Sequence, residues 1–334
     1  MGRILVWWFL ASSAFAAATV LVGAAHGVLY LWGRLGGVGG DPTVIPWRSG
    51  FESVWLWWTV VYFAWVVPLV ILLLLLVRWG SDSKMRRAAT PWHEWQKGSV
   101  CIVLTAYNDE DPIGGAVEEF RRASPRATVV VVDDNSTDRT AEVARSHGAI
   151  VVPETRQGYG FACMRGLRYA LESTSAEAVV LAEGDMTFIA EDLDKLLPYL
   201  EDCDLVLGTR STRTLTRPGS QMDWFMAWGN LYLAFLIRLR YWDPVFLGRV
   251  QLTDVGCTFR VIRRDALARI IDQLTVGGHY FSPHMIIVAL RNQLSVVEVP
   301  IKFRARVGVS KGAGGNRWRA AKIGLAMIWE IGTR

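Results

Sequence analysis

The 334-residue sequence predicts an α/β fold: a mixed, mainly parallel sheet, preceded by an N-terminal two-helix transmembrane hairpin and accompanied by amphipathic interface helices. Three observations carry that prediction. Two long uncharged apolar runs open the chain. Short β-branched runs then alternate with segments of helical spacing. The polar clusters of this second part fall where the β-branched runs end.

Residues 4–33 hold no charged side chain other than His26, and residues 53–77 hold none. A spanning helix needs roughly 20 apolar residues to cover about 30 Å of hydrocarbon. Both runs exceed that, so spans are expected at 4–32 and 53–79, within a hairpin of residues 1–80. Trp7, Trp8, Trp32, Trp55, Trp57, Trp58 and Trp79 stand near the ends, as an aromatic belt does. Pro68 is placed to kink the second helix. The first run is too long for the apolar core of a cleaved signal peptide. His26 reads as a group near a helix end that reaches the interface. The link between the runs carries Arg34 and Arg48, whereas Arg78, Lys84, Arg86, Arg87 and Lys97 follow the second run. The positive-inside rule then puts everything after the hairpin in the cytoplasm, on a multi-pass protein of the cell membrane. Residues 81–98 form a juxtamembrane linker.

Composition excludes several classes. The chain is 51% hydrophobic with 16 Trp, concentrated in the hairpin and around residues 222–242. The formal charge of +5 suits anionic headgroups or phosphorylated substrates. No compact basic run interleaves with aromatics, so no nucleic acid is expected as a partner. Cys101, Cys163, Cys203 and Cys257 form no CxxC pair and no zinc spacing, and read as reduced, buried thiols.

From Ser99 the period changes. Strands are expected at 99–105, 127–132, 150–152, 178–182 and 205–208. Helices are expected at 113–122, 137–147, 160–172 and 191–200. That alternation implies a sheet covered on both faces, spanning a domain of residues 99–312. Residues 222–242 hold Arg238 and Arg240 within an apolar stretch and read as a helix at the membrane surface. Residues 313–334 place apolar side chains at helical spacing opposite Arg and Lys, and read as a second such helix. A homo-oligomer is compatible with the sequence. Two spans make a poor pore without one, which disfavours a transporter.

In a sheet of this kind ligands bind beyond the carboxyl ends of the strands. There the sequence places Thr105, Tyr107 and Asp109 after the first strand and Asp133 and Asp134 after the second. Adjacent carboxylates repel unless something uses them, for instance a base or a ribose. A turn with a capping box explains Asp133 to Asp138 equally well. Glu183-Gly184-Asp185 ends the fourth strand, and its two acids can turn toward one cation, Mg²⁺ or Mn²⁺. Two solvated acids in a loop is the other reading. Gly158 belongs to a Gly-x-Gly that permits close backbone approach, but it lacks the GxGxxG context of a dinucleotide-binding dehydrogenase. Arg210 closes the fifth strand and can face phosphate. Arg304, Arg306, Ser310 and Lys311 form a Gly-rich basic segment that resembles a phosphate clamp, or else a solvated loop.

Taken in order, TAYND, DDNSTD, EGD, GTR, DVGCTFR and RARVGVSKG resemble the motifs of family-2 glycosyltransferases of the Rossmann-like GT-A fold, in particular the dolichol- or polyprenyl-phosphate sugar synthases. The resemblance covers roughly residues 99–311. It implies a nucleotide-sugar donor, with a UDP or GDP carrier, whose nucleoside lies against Tyr107, Asp109 and Asp134. It puts the metal at Asp185 with Glu183, and Asp254 near the sugar or the acceptor phosphate. It has Arg210, Arg260, Arg306 and Lys311 hold phosphates. Asp185, Asp254 and Arg260 are then the expected catalytic group. Membrane lipids surround the acceptor, a polyprenyl or dolichyl phosphate. The chain departs from the family pattern at Thr105, Asp109 and Glu183, and at Tyr159, where a lysine is usual. The Gln-x-x-Arg-Trp signature of processive synthases is absent. The implied reaction is a single inverting displacement at the sugar C1. A glycolipid or glycan hydroxyl is the alternative acceptor, with Asp254 as the base it would need. A catalytically silent membrane scaffold of the same fold is the alternative from another class.

Overall fold

The computed structural model describes residues 3–4, 6–14, 100–217, 219–220, 222–242, 250–308 and 317–333. Residues 3–4 and 6–14 are helical. The rest of the expected hairpin, His26, the linker, Ser310 and Lys311 lie outside the described residues. Among the described residues no helix is long and apolar enough to cross a membrane. The chain divides into two compact units, Met1–Ser83 with Trp242–Arg249, and Lys84–Tyr241 with Val250–Arg334.

The second unit is built on a seven-stranded sheet. Its strands are β1 (Val100–Ala106), β2 (Thr128–Asp133), β3 (Ile150–Pro153), β4 (Ala178–Glu183), β5 (Leu205–Thr209), β6 (Arg260–Arg263) and β7 (Val296–Pro300). Their spatial order is β3-β2-β1-β4-β6-β5-β7. β1 pairs in parallel with β2 and β4, and β2 with β3. β6 runs antiparallel between β4 and β5, and β7 is parallel to β5. The mixed, mainly parallel sheet expected from sequence is therefore present. β6 and β7 were not expected, because Arg260 and Arg263 bound one and Glu298 interrupts the other, so neither reads as a continuous apolar run.

The helices follow from local chemistry. α1 (Glu110–Ala123) buries Ile113, Ala116, Val117 and Phe120, one face at helical spacing. Its acids Glu110 and Asp111 lie in the first turn and Arg121 and Arg122 in the last, matching the helix dipole. α2 (Thr140–Ser146) follows β2. α3 (Tyr159–Ser173) packs on β1 and β2 through Gly166, where an added Cβ would stand 2.2 Å from Val103 Cγ1. The helix expected at 191–200 is instead a short α4 (Leu193–Leu196) between two 3₁₀ turns. Pro198 explains the break, since it lacks the N–H that would continue the ladder. α5 (Trp224–Arg240) starts at a cap in which the Asp223 carboxylate accepts the Met226 N–H at 2.9 Å. α6 (Arg264–Ile270) and α7 (Phe281–Arg291) follow β6, and α8 (Arg317–Thr333) ends the description. Under the sheet, Phe259 packs edge-on against Phe120 and tilted against Phe188, with centroids 5.9 and 5.4 Å apart.

Candidate functional site

The carboxyl ends of β1, β2, β4 and β5 open into one cavity of about 780 Å³. Thr105, Tyr107, Asp109, Asp134, Gly158, Glu183, Asp185, Arg210 and Arg306 all line it. Nine of the expected site residues thus meet in one place, although they come from six segments of chain.

Hydrogen bonds between loops set the positions of the acids. After β1, Asn108 takes the left-handed φ of 48° that asparagine tolerates. Its N–H donates to Ser136 Oγ at 3.0 Å, and its side-chain carbonyl accepts the Thr137 N–H at 2.7 Å. The Asp109 N–H donates to Thr140 Oγ1 at 2.8 Å. These bonds tie the β1 and β2 loops together. Asp133 turns aside to accept the Ser136 N–H, outside the cavity lining. Asp134 instead accepts the Gly158 N–H on both oxygens, at 3.0 and 3.1 Å. Burial raises its pKa, Gly158 opposes this, and the neighbouring charges of Glu154 and Asp133 add to the rise. Only glycine is comfortable at position 158, with φ 154° and a virtual Cβ 2.5 Å from the Gly277 carbonyl.

The end of β4 is the most highly charged part of the wall. Burial and then the adjacent Asp185 push the Glu183 carboxyl up to about 8, against the opposing charge of Arg306. The Thr258 hydroxyl donates to Glu183 at 3.1 Å. Asp185 Oδ1 accepts from the N–H and hydroxyl of Thr187, at 3.0 and 2.6 Å. Its Oδ2 faces Arg306 Nη1 at 3.3 Å, and Arg306 Nη2 donates to Asp109 Oδ1 at 3.3 Å. Arg306 therefore bridges the tips of β1 and β4. Gly184 lies beneath, with its N–H on the Thr105 carbonyl. The residue after Asp185, Met186, has φ 65°, a costly conformation for a long side chain, of the sort kept at functional turns.

Besides Asp133 and Gly184, three expected site residues stand off the cavity lining. Arg304 does not line the cavity. Its guanidinium bonds the Met186 and Phe188 carbonyls and pairs with Glu119, so it fastens the strained turn after Asp185 and leaves no clamp for phosphate. Arg260 is 1% exposed and spends its donors on the carbonyls of Cys257, Ser282 and Val255. It anchors the loop before β6 and also lies off the cavity wall. Asp254 is 1% exposed and sits behind Arg210. Its two oxygens accept from Arg210 Nε and Nη2 at 2.7 and 2.8 Å, and from the Gly256 N–H at 3.1 Å. Asp254 thus aims Arg210 into the cavity and has no oxygen turned toward a substrate. Glu298 supports it in turn by accepting the N–H groups of Thr253 and Asp254.

Sequence reasoning missed a second class of wall. α5 contributes Phe225, Met226, Gly229, Tyr232 and Leu233, and α8 contributes Ala321, Gly324, Leu325 and Ile328. The cavity is therefore polar along the sheet and apolar along two helices. Thr187 and Thr258, which hold the acids, were also missed. Thr258 lies inside the quoted DVGCTFR motif, but its partner is 75 residues away.

Comparison with known proteins agrees with this geometry. Residues 101–271 match the family described as Glycosyl transferase family 2. The chain is 30% identical to the undecaprenyl-phosphate mannosyltransferase of Micrococcus luteus, over 69% of this chain and 96% of that protein. It is also 30% identical to the dolichyl-phosphate hexose transferase of Haloferax volcanii, over 65% of this chain and 88% of that one. Among solved structures, it is similar in fold to the glucosyl-3-phosphoglycerate synthase of Mycobacterium tuberculosis in complex with Mn²⁺, UDP and phosphoglyceric acid. That match has a TM-score of 0.53 and 17% identity, over 76% of this chain and 87% of the other.

Proposed function

Because the chain belongs to glycosyl transferase family 2, we propose that it moves a sugar from a nucleotide-sugar to a polyprenyl or dolichyl phosphate at a membrane surface. One observation carries this reading. A single cavity joins acids and arginines on the strand tips to an apolar wall on α5 and α8, which suits a charged head attached to a hydrocarbon chain. The names of the Micrococcus and Haloferax relatives point to the same acceptor class.

In this reading Tyr107, Asp109 and Asp134 hold the nucleoside. Glu183 and Asp185 hold a divalent cation, Mg²⁺ or Mn²⁺. The donor set fits one: burial, and then repulsion from the neighbouring Asp185, raise Glu183 to about 8, and a cation between the two carboxyl groups opposes both effects. Two carboxyl groups would leave further coordination positions for diphosphate oxygens and water. The Mn²⁺ in the solved Mycobacterium complex supports the same class of ion. When bound, the cation neutralises charge on the departing diphosphate. Arg210, held in position by Asp254, adds a fixed positive charge on the same side. Arg306 receives the acceptor phosphate. That phosphate is largely ionised near neutral pH and attacks C1 without a strong base. A hydroxyl acceptor would need one, and Asp254, the residue expected to serve, is fully engaged behind Arg210.

The surface of the helices supports the membrane setting. On α5, Trp224 and Trp228 are 64% and 70% exposed, four residues apart on one face. On α8, Trp318, Leu325 and Trp329 are 82%, 66% and 63% exposed along another stripe. Exposed indoles on paired helices suit a headgroup layer. The basic residues after the second apolar run support a setting on the cytoplasmic side of the cell membrane. Purified protein given radiolabelled UDP- and GDP-sugars tests the assignment. At least one donor is expected to label undecaprenyl phosphate in the presence of Mg²⁺ or Mn²⁺. Labelling of a glycolipid hydroxyl but no lipid phosphate, across the whole panel, would overturn the acceptor assignment.

A further inference from the structure

The apolar wall of α8 depends on the register in which that helix docks. Its cavity-lining residues alternate small and branched side chains, Ala320, Ala321 and Gly324 with Ile323, Leu325 and Ile328. One residue of slippage turns an α-helix by about 100° and moves it about 1.5 Å, enough to present a different face to the cavity. Two buried polar contacts near the end of the helix resist that motion. Arg240 Nη1 donates to the Ile331 carbonyl at 2.5 Å. The His284 imidazole on α7 meets Glu330 through Nδ1 and Oε1 at 2.6 Å, with the two residues 1% and 4% exposed. On its other side, His284 Nε2 lies 3.2 Å from the Thr275 N–H and 3.3 Å from the Gln273 carbonyl. Both ring nitrogens are thereby held.

A buried pair of this kind is a weak source of stability, because desolvation offsets most of the attraction. Its strength lies in geometry, since it is satisfied in one register only. Neither residue takes part in the chemistry described above, and His284 does not line the cavity. We propose that His284 and Glu330 are positioning residues for the acceptor: by locking α8 in one register they shape the wall against which the hydrocarbon chain of the acceptor lies. This inference rests on the lipid-phosphate reading of the cavity. It locates acceptor chain selectivity in a contact that touches neither substrate.

The test compares two acceptors with the same headgroup, undecaprenyl phosphate and short-chain citronellyl phosphate, in full-length protein. Glu330→Gln keeps the side-chain shape and Glu330→Ala removes it. The positioning role predicts a KM for undecaprenyl phosphate raised about tenfold in Glu330→Ala and less in Glu330→Gln. It predicts donor KM and citronellyl phosphate KM close to wild type in both. If Glu330→Ala fails to fold, Glu330→Gln alone carries the comparison, with a severalfold rise confined to the long acceptor. Equal losses on both acceptors, a loss in donor KM of the same size, or no change at all would overturn the positioning role. A wild-type enzyme that uses neither phosphate would overturn the acceptor reading instead.

Discussion

Asp185→Asn is expected to lower kcat by about a thousandfold while leaving the melting temperature within a few degrees of wild type. The carboxylate stands at the tip of β4, facing Arg306 and adjoining Glu183 in the cavity wall. Asparagine can still accept from the N–H and hydroxyl of Thr187 through its carbonyl, so the turn that follows keeps its support. What it loses is negative charge at the point where the proposed cation sits. Removing that charge lowers cation affinity and leaves the diphosphate leaving group without its main counter-charge. Steady-state kinetics at saturating donor, with thermal denaturation of the same preparation, checks both halves. Near wild-type kcat in Asp185→Asn would remove this residue from the mechanism.

Asp254→Ala is expected to act on stability first. The carboxylate is fully buried and forms a two-pronged pair with Arg210, which is itself mostly buried. Breaking such a pair strands a charge and costs about 3–5 kcal/mol, which corresponds to a fall of about 10 °C in melting temperature. Activity should fall as well, because Arg210 loses its aim. The pair also has a signature in pH. Burial alone would raise the Asp254 pKa, but the charge and hydrogen bonds of Arg210 outweigh it and hold the carboxyl below its ordinary value. The folded state thus binds the proton more weakly than the unfolded chain. The resulting stability is fully present above the unfolded carboxylate pKa of about 4 and is lost as pH falls through the lower folded value. Denaturant titrations of wild type and Asp254→Ala from pH 7 to pH 3 should show the gap narrowing on the acid side. A constant gap would mean that the pair contributes nothing through its charge.

The sequence made the strand-tip acids legible because each belongs to a local pattern. A β-branched run that stops at an acid cluster reports a strand end, and in a parallel sheet strand ends converge. Asp109, Asp134, Glu183, Asp185 and Arg210 were found in that way. Arginine roles were harder to read. Arg260, Arg304 and Arg306 look equivalent in a basic sequence, yet one binds three carbonyls in the core, one fastens the turn after Asp185, and one enters the cavity. Those fates depend on partners such as Ser282 and Glu119, which no local pattern links to them. The apolar wall was hidden for a related reason. Residues 222–242 and 313–334 displayed an amphipathic period, which reports that a face is apolar but does not say which residues point at a ligand. β6 escaped because an antiparallel strand between two parallel neighbours needs neither length nor an unbroken apolar run.

The central claim is that the strand-tip acids would hold a divalent cation and that Arg210 would face the departing diphosphate beside it. Crystals of the enzyme grown with Mn²⁺ and the nucleoside diphosphate of its preferred donor test it most directly, through the anomalous signal of manganese. The account predicts one strong peak beside Asp185, the diphosphate between it and Arg210, and Arg306 released from its pairing with Asp185. Manganese and nucleotide bound away from this cavity, with Asp185 still paired to Arg306, would contradict it.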